Sequence, residues 1–401
     1  CLHGLSPWLF WREINPMPAI PASKKGVLMN PKNSVQAGSP TLAYFISPHG
    51  FGHAARASAV MSAIQERCSG IRFEIFTTVP PWFFEESLSG PFSYHSLLTD
   101  VGLVQEGPLC ANLSRTVACL NEFLPFNPWQ LEDLVKKVNH LKCVMILSDI
   151  SPMGIAVARE AGLPSILVEN FTWDWVYGEY VFEKTGFKTH ITYLESLFSS
   201  ADFHIQTAPV CSKGSVHLTT GPISRKPRMD RLQVRENLGI SEQVPMVLIT
   251  MGGIPKHHGF IDQLANQNEV FFVAPGAATD FQALGNVILL PHRSDFFHPD
   301  LVNAADAVVG KVGYSTLAEV YHAQIPYGYI KRTRFQESEI LSEYIGNHMT
   351  GFAIDERIFE DGDWILRVPE LLDQPSVTRE DPNGAEAAAD FVLKLLNGDA
   401  G

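Results

Sequence analysis

The chain has 401 residues, 45% of them apolar, enough for two hydrophobic cores of domain size. Only 18% are charged and the net charge is -13, which disfavours a nucleic-acid backbone or an anionic membrane surface as main partner and suits a small or neutral ligand. Six cysteines (Cys1, Cys68, Cys110, Cys119, Cys143, Cys211) form no CxxC pair and read as the reduced thiols of a cytoplasmic protein. No run approaches the ~20 apolar residues of a transmembrane span, because Asp149 interrupts the best candidate, 143–158; a peripheral membrane contact stays open.

Residues 1–40 carry Pro7, Pro16, Pro18, Pro21, Pro31 and Pro40 without sustained periodicity and are expected to form a disordered leader, with Met17 and Met29 as candidate starts. From Thr41 short β-rich runs at 41–47, 73–78, 143–149, 164–170 and 202–207 alternate with helical patterns at 53–67, 128–141, 151–161 and 190–200. That alternation predicts βαβ units and a parallel sheet, whose ligands sit beyond the carboxyl ends of its strands. The first such loop is Ser47-Pro48-His49-Gly50-Phe51-Gly52-His53. Gly50 and Gly52 permit a tight turn and close backbone approach to a ligand, and His53 opens the next helix near its positive end. With His49 beside it, this pattern favours a working site over an incidental turn. Asp149 ends the strand 143–149 and keeps two readings, an orienter of His53 or the N-cap of the following helix. Phe171, Trp173, Trp175 and Tyr177 follow the next strand, as a ligand-facing surface or as interdomain packing.

Residues 221–231, with Pro222, Pro227 and four basic side chains, break the periodicity and mark a linker. Strand patterns resume at 245–251, 269–275, 286–291, 307–310 and 326–332. The expected organisation is a first doubly wound, Rossmann-like domain over 41–221, a linker over 222–232, a second such domain over 233–383, and a packing helix and tail over 384–401. After the strand 245–251, Gly252 and Gly253 could present backbone N–H groups to a diphosphate, with Lys256 nearby. After 307–310 comes GKVGYSTLAE, in which Thr316 and Glu319 have the spacing of a capping box. Asp361-Gly362-Asp363 lies in an acidic run with no strand before it and reads as a solvated turn, so no metal site is expected.

The string HGFGHAAR (49–56) resembles the N-terminal loop of glycosyltransferase families 1 and 28, and especially that of the glycosyltransferase-type N-terminal domain of plant arabinokinases. The similarity runs from about Thr41 to Ile345, and Asn170-Phe171-Thr172-Trp173-Asp174 shares in it. The resemblance implies the GT-B architecture, two α/β domains facing a central cleft, with acceptor binding in the first and nucleotide-sugar binding in the second. It implies that His53 is the general base toward an acceptor hydroxyl, oriented by Asp149, or else contacts the donor phosphates. Carried over to GKVGYSTLAE, it assigns Gly313, Ser315 and Thr316 to the donor diphosphate and Glu319 to the ribose. Gln336 and Glu337 stand where family 28 members contact the donor sugar, although the usual residue pair is not reproduced. The implied reaction is inverting, metal-independent transfer from a nucleotide sugar, UDP-linked in most related enzymes, to a small-molecule, glycan or lipid acceptor. The donor is a co-substrate, no cofactor is expected, and Lys256 or Lys311 would stand beside the leaving diphosphate. A sugar-nucleotide 2-epimerase and a non-catalytic sugar-nucleotide-binding module remain as alternatives.

Overall fold

Strands buried on both faces read as continuous apolar runs, and such runs form the middle of each sheet. The computed structural model describes residues 28–29, 39–107, 110–251, 259–332 and 335–398. The strands in the first half are β1 (Leu28–Met29), β2 (Thr41–Ile46), β3 (Arg72–Thr77), β4 (Phe92–Ser96), β5 (Gln105–Gly107), β6 (Cys110–Ala111), β7 (Cys143–Asp149), β8 (Ser165–Glu169), β9 (Phe203–Thr207) and β10 (Leu218–Thr220). The second half adds β11 (Met246–Thr250), β12 (Phe271–Ala278), β13 (Gln282–Leu284), β14 (Val287–Pro291), β15 (Ala307–Lys311), β16 (Tyr327–Ile330) and β17 (Gly351–Ile354).

Among the described residues the first sheet has the order β1-β4-β3-β2-β7-β8-β9-β10 and the second β13-β14-β12-β11-β15-β16-β17. Every neighbouring pair in both is parallel except β1 with β4 and β13 with β14. The expected disordered leader falls mostly outside the described residues; within it, Leu28 and Met29 pair with Tyr94 and Ser93.

Alternation along β2 splits its side chains between two cores. Leu42, Tyr44 and Ile46 face one, with the Gly52–Arg67 helix, and Ala43 and Phe45 face the other, with the Pro152–Ala161 and Phe187–Phe198 helices. The second sheet is likewise covered on both faces. In the first sheet the chain moves from β2 outward through β3 to β4 and then returns to the opposite side of β2 as β7. The second sheet repeats the reversal, with β12 and β15 flanking β11. Each reversal opens a crevice at the carboxyl ends of the central strands, the usual place for a ligand in such sheets.

Residues 221–230 form no helix or strand, yet they are tied down on both sides. Arg225 bonds Glu319, Lys226 bonds Glu66, and the Arg228 and Met229 amides donate to Asp300 Oδ1. The last helix, Gly384–Leu396, buries Ala385, Ala388, Ala389 and Val392 in the core of the first sheet, against the Gly52–Arg67 helix. Those positions repeat at helical spacing. Gly384 is required at its start, because a Cβ there would lie 2.2 Å from the Gly221 carbonyl oxygen.

Candidate active site at the interdomain cleft

The loop after β2 turns at Gly50, whose φ of +74° suits a residue without a Cβ, and leads into the Gly52–Arg67 helix. One helical turn separates His53 from Arg56, so both face the end of β7, where Asp149 pairs in register with Ile46. His53 Nδ1 lies 2.9 Å from Asp149 Oδ1. Arg56 donates through Nε to Asp149 Oδ2 (2.8 Å) and through Nη2 to Oδ1 (2.6 Å). Its Nη1 donates to Asn170 Oδ1 at 2.6 Å, and Asn170 Nδ2 donates to Glu337 Oε1 at 2.9 Å across the cleft.

Burial alone would raise the Asp149 carboxyl, but the charge and hydrogen bonds of Arg56, with His53, hold it below its ordinary value. Burial opposes the Arg56 cation, and Asp149 more than restores it. An ionised acceptor at Nδ1 fixes a neutral imidazole in the tautomer with Nδ1–H donating, which leaves Nε2 free to take a proton. The Pro152–Ala161 helix is capped by Ser151, whose Oγ accepts from the Gly154 amide, so the Asp149 side chain is spent on His53 and Arg56 rather than on that cap.

Asp100 is a neighbour that the sequence did not single out. It is 2% exposed, Trp173 Nε1 donates to its Oδ2 at 3.0 Å, and its Oδ1 has no partner. Burial pushes its carboxyl up to about 6, against the Ser47 hydroxyl, His53 and Trp173, which favour the ionised form. Phe171, Trp173 and Tyr177 are 3%, 1% and 1% exposed and belong to the core of the first sheet, whereas Trp175 is only partly buried against it. Phe171 also meets Phe335 of the second half edge to face, with centroids 6.4 Å apart.

From the second sheet, the Tyr314–Ala323 helix begins at Gly313 with no side chain capping it, so its first amides point into the cleft end of β15 unspent by a cap. A Cβ placed on Gly52 would lie 3.8 Å from Ser315 Oγ, so the two loops face each other closely. Tyr314 reaches across: its hydroxyl is 2.5 Å from Thr207 Oγ1 and accepts from the Ile223 amide at 3.0 Å, and Arg56 lies 4.8 Å from its ring centroid. Thr316 sits inside the first turn and caps nothing, so the capping-box reading of Thr316 and Glu319 does not hold. Glu319 instead accepts from Arg225 (3.2 and 3.0 Å) at Oε1 and bonds His298 Nδ1 (2.8 Å) at Oε2. The Gln336 amide donates to Glu179 Oε2 at 2.9 Å.

Gly252, Gly253 and Lys256 lie outside the described residues. Among the described residues no three His, Cys, Asp or Glu side chains gather as a metal-binding set, and no helix is long and apolar enough to cross a membrane. A cavity of about 640 Å³ opens between the Gly52–Arg67 helix, residues 87–91 and the linker residues 224–228, apart from His53 and Asp149.

Two parallel sheets whose switch points face one another define the GT-B glycosyltransferase fold, and solved structures bear this out. The calicheamicin glycosyltransferase CalG4 aligns with a TM-score of 0.57 at 13% identity, over 91% of this chain and 100% of that one. A Medicago truncatula protein solved as a complex with UDP-glucose aligns with a TM-score of 0.55 at 11% identity, over 90% and 95% of the two chains. In sequence, L-arabinokinase from Arabidopsis thaliana is a distant homologue, 26% identical over 364 residues, which are 89% of this chain and 34% of that protein. The chain therefore spans about a third of the length of that relative. No family model matches.

Proposed function

We propose that the chain transfers a glycosyl group, with inversion, from a UDP-linked sugar to an acceptor hydroxyl. The hydrogen bond of His53 to Asp149 at the switch point of the first sheet carries this reading. His53 Nε2 takes the hydroxyl proton as the acceptor oxygen bonds to the anomeric carbon. The bond from that carbon to the diphosphate oxygen breaks, and its electron pair leaves with the nucleoside diphosphate. Asp149 holds the ring and stabilises the imidazolium, and Arg56 keeps Asp149 ionised. The uncapped amides at the start of the Tyr314–Ala323 helix, Gly313 to Thr316, receive the leaving charge.

A second reading, a sugar-nucleotide-binding module without turnover, is favoured by the fact that Glu319 and Glu337 are already bonded to protein partners. A donor screen separates the readings. Released UDP with an acceptor glycoside formed supports transfer. Conversion of the donor without acceptor marks an epimerase, and saturable binding with neither product marks the module.

A further inference from the structure

Among the described residues the two buried arginines other than Arg332 have engaged guanidinium groups. Arg56 donates to Asp149 and Asn170, and Arg235 to Asp306 and to the carbonyls of Ala304, Ser241 and Val244. Two cations at the cleft break that pattern. Lys311 ends β15 and Arg332 follows β16; the strands are neighbours, with Lys311 in register with Ile330, so both side chains leave the same end of the sheet. Arg332 is 8% exposed, its guanidinium carbon stands 3.8 Å from the Phe335 ring centroid, and its Nε has no hydrogen-bond partner. Among the described residues neither side chain forms an ion pair.

The surroundings do not neutralise the pair. Glu337 is the carboxylate that acts on both, and its Oε1 is already engaged by Asn170. Burial, with Arg332 beside it, brings the Lys311 ammonium down to about 7. Burial and then the charges of Arg332, His53 and Lys311 hold His49 well below its ordinary value. A buried cation without an acceptor is costly to keep, and a planar guanidinium stacked on a ring is set to receive two oxygens of one anion.

We infer that Lys311 and Arg332 form an anion clasp in the cleft, and that its occupant is the charged part of the donor: the diphosphate, or a carboxylate on the transferred sugar. The inference rests on the reading of the cleft as a nucleotide-sugar site and adds Arg332 to it.

Calorimetry on the full chain tests the clasp with pyrophosphate, UDP, uridine, UDP-glucose and UDP-glucuronate, on wild type, Arg332→Gln, Lys311→Met and Arg332→Lys, with melting curves confirming the fold. If the clasp holds the diphosphate, Arg332→Gln and Lys311→Met each weaken UDP and pyrophosphate at least tenfold, leave uridine unchanged, and Arg332→Lys recovers part of the loss. If it holds a sugar carboxylate, the variants weaken UDP-glucuronate tenfold while UDP and UDP-glucose stay as in wild type. Folded variants that bind all five probes as wild type does, or a wild type that binds no anionic probe, overturn the clasp. Pyrophosphate binding needs no turnover. A clasp that holds in a protein transferring no sugar therefore sinks the transferase reading alone, and transfer with unchanged KM in both variants sinks the clasp alone.

Discussion

His53→Ala is expected to lower turnover by roughly 10²- to 10⁴-fold while UDP binding persists, because the proposed base and the proposed diphosphate site belong to different sheets. Asp149→Asn should cost less and be non-additive with His53→Ala, since an orienter has nothing to orient once the ring is gone; independent, multiplying effects in single-turnover kinetics would count against the pairing. Lys311 predicts a pH effect on binding. A bound anion raises its pKa above about 7, so UDP affinity is full below pH 7 and falls as pH rises through 7 to 9. Arg332 and Glu337 act on it and it acts on His49, and calorimetry across that range should show the slope vanish in Lys311→Met. Asp100 has the opposite character. Its folded carboxyl titrates at about 6, above the ordinary ~3.9. The neutral form is therefore the stabilised one: its contribution is whole below pH 4 and lost as pH rises through 6. Asp100→Asn should stabilise the fold at pH 8, by up to roughly 3 kcal/mol, and by little at pH 4, as read from urea unfolding at the two pH values. At this scale the contact between His53 and Asp149 was legible because His53 follows, and Asp149 ends, strands that lie side by side in one sheet. Arg56 stood in the motif without a role, and Asn170 and Tyr314 carried no local signal, since their partners lie in other loops far away in sequence.

The central strands were legible because burial on both faces leaves them few polar positions: β2, β7, β8 and β11 each appear as an uninterrupted apolar run. Strand β4, FSYHS, one place in from the edge, was not, because its polar side chains are satisfied only by tertiary partners. His95 Nε2 lies 2.7 Å from Glu74 Oε2 on β3, and Ser93 accepts from Arg72. The Leu113–Phe123 helix was missed for a related reason: it buries only Thr116 and Leu120, too few positions to impose a period. The Gly384–Leu396 helix packs on the core of the first sheet, and its first residue supplies a test. Ala normally favours a helix over Gly by about 1 kcal/mol. Gly384→Ala should nonetheless destabilise by about 1–3 kcal/mol in urea unfolding, because the methyl would enter the Gly221 carbonyl and the contact is backbone on one side.

On the scale of the whole molecule, side chains from both halves interlock. Tyr314 holds the end of β9 and the linker, and Arg225 is packed between the rings of Phe83 and Phe297, 4.7 and 4.9 Å from their centroids, while it bonds Glu319. Tyr314→Phe keeps the ring under Arg56 and removes two hydrogen bonds. A loss of about 1–3 kcal/mol and a larger radius of gyration in solution scattering are expected. The chain also crosses between the halves twice, and the crossings lie side by side: the Ser224 amide donates to Asn383 Oδ1, Asn383 Nδ2 returns to the Ser224 carbonyl, and the Gly384 amide donates to the Pro222 carbonyl. The unit built on the first sheet is thus discontinuous in sequence. A single cut within 225–230 should therefore leave two pieces that complement each other, because residues 384–396 of the later piece dock on the Gly52–Arg67 helix of the earlier one. Co-expressed as 1–226 and 227–401 they should co-purify, and ending the second piece at residue 383 should abolish or sharply weaken that association by uncovering the apolar face that the last helix closes.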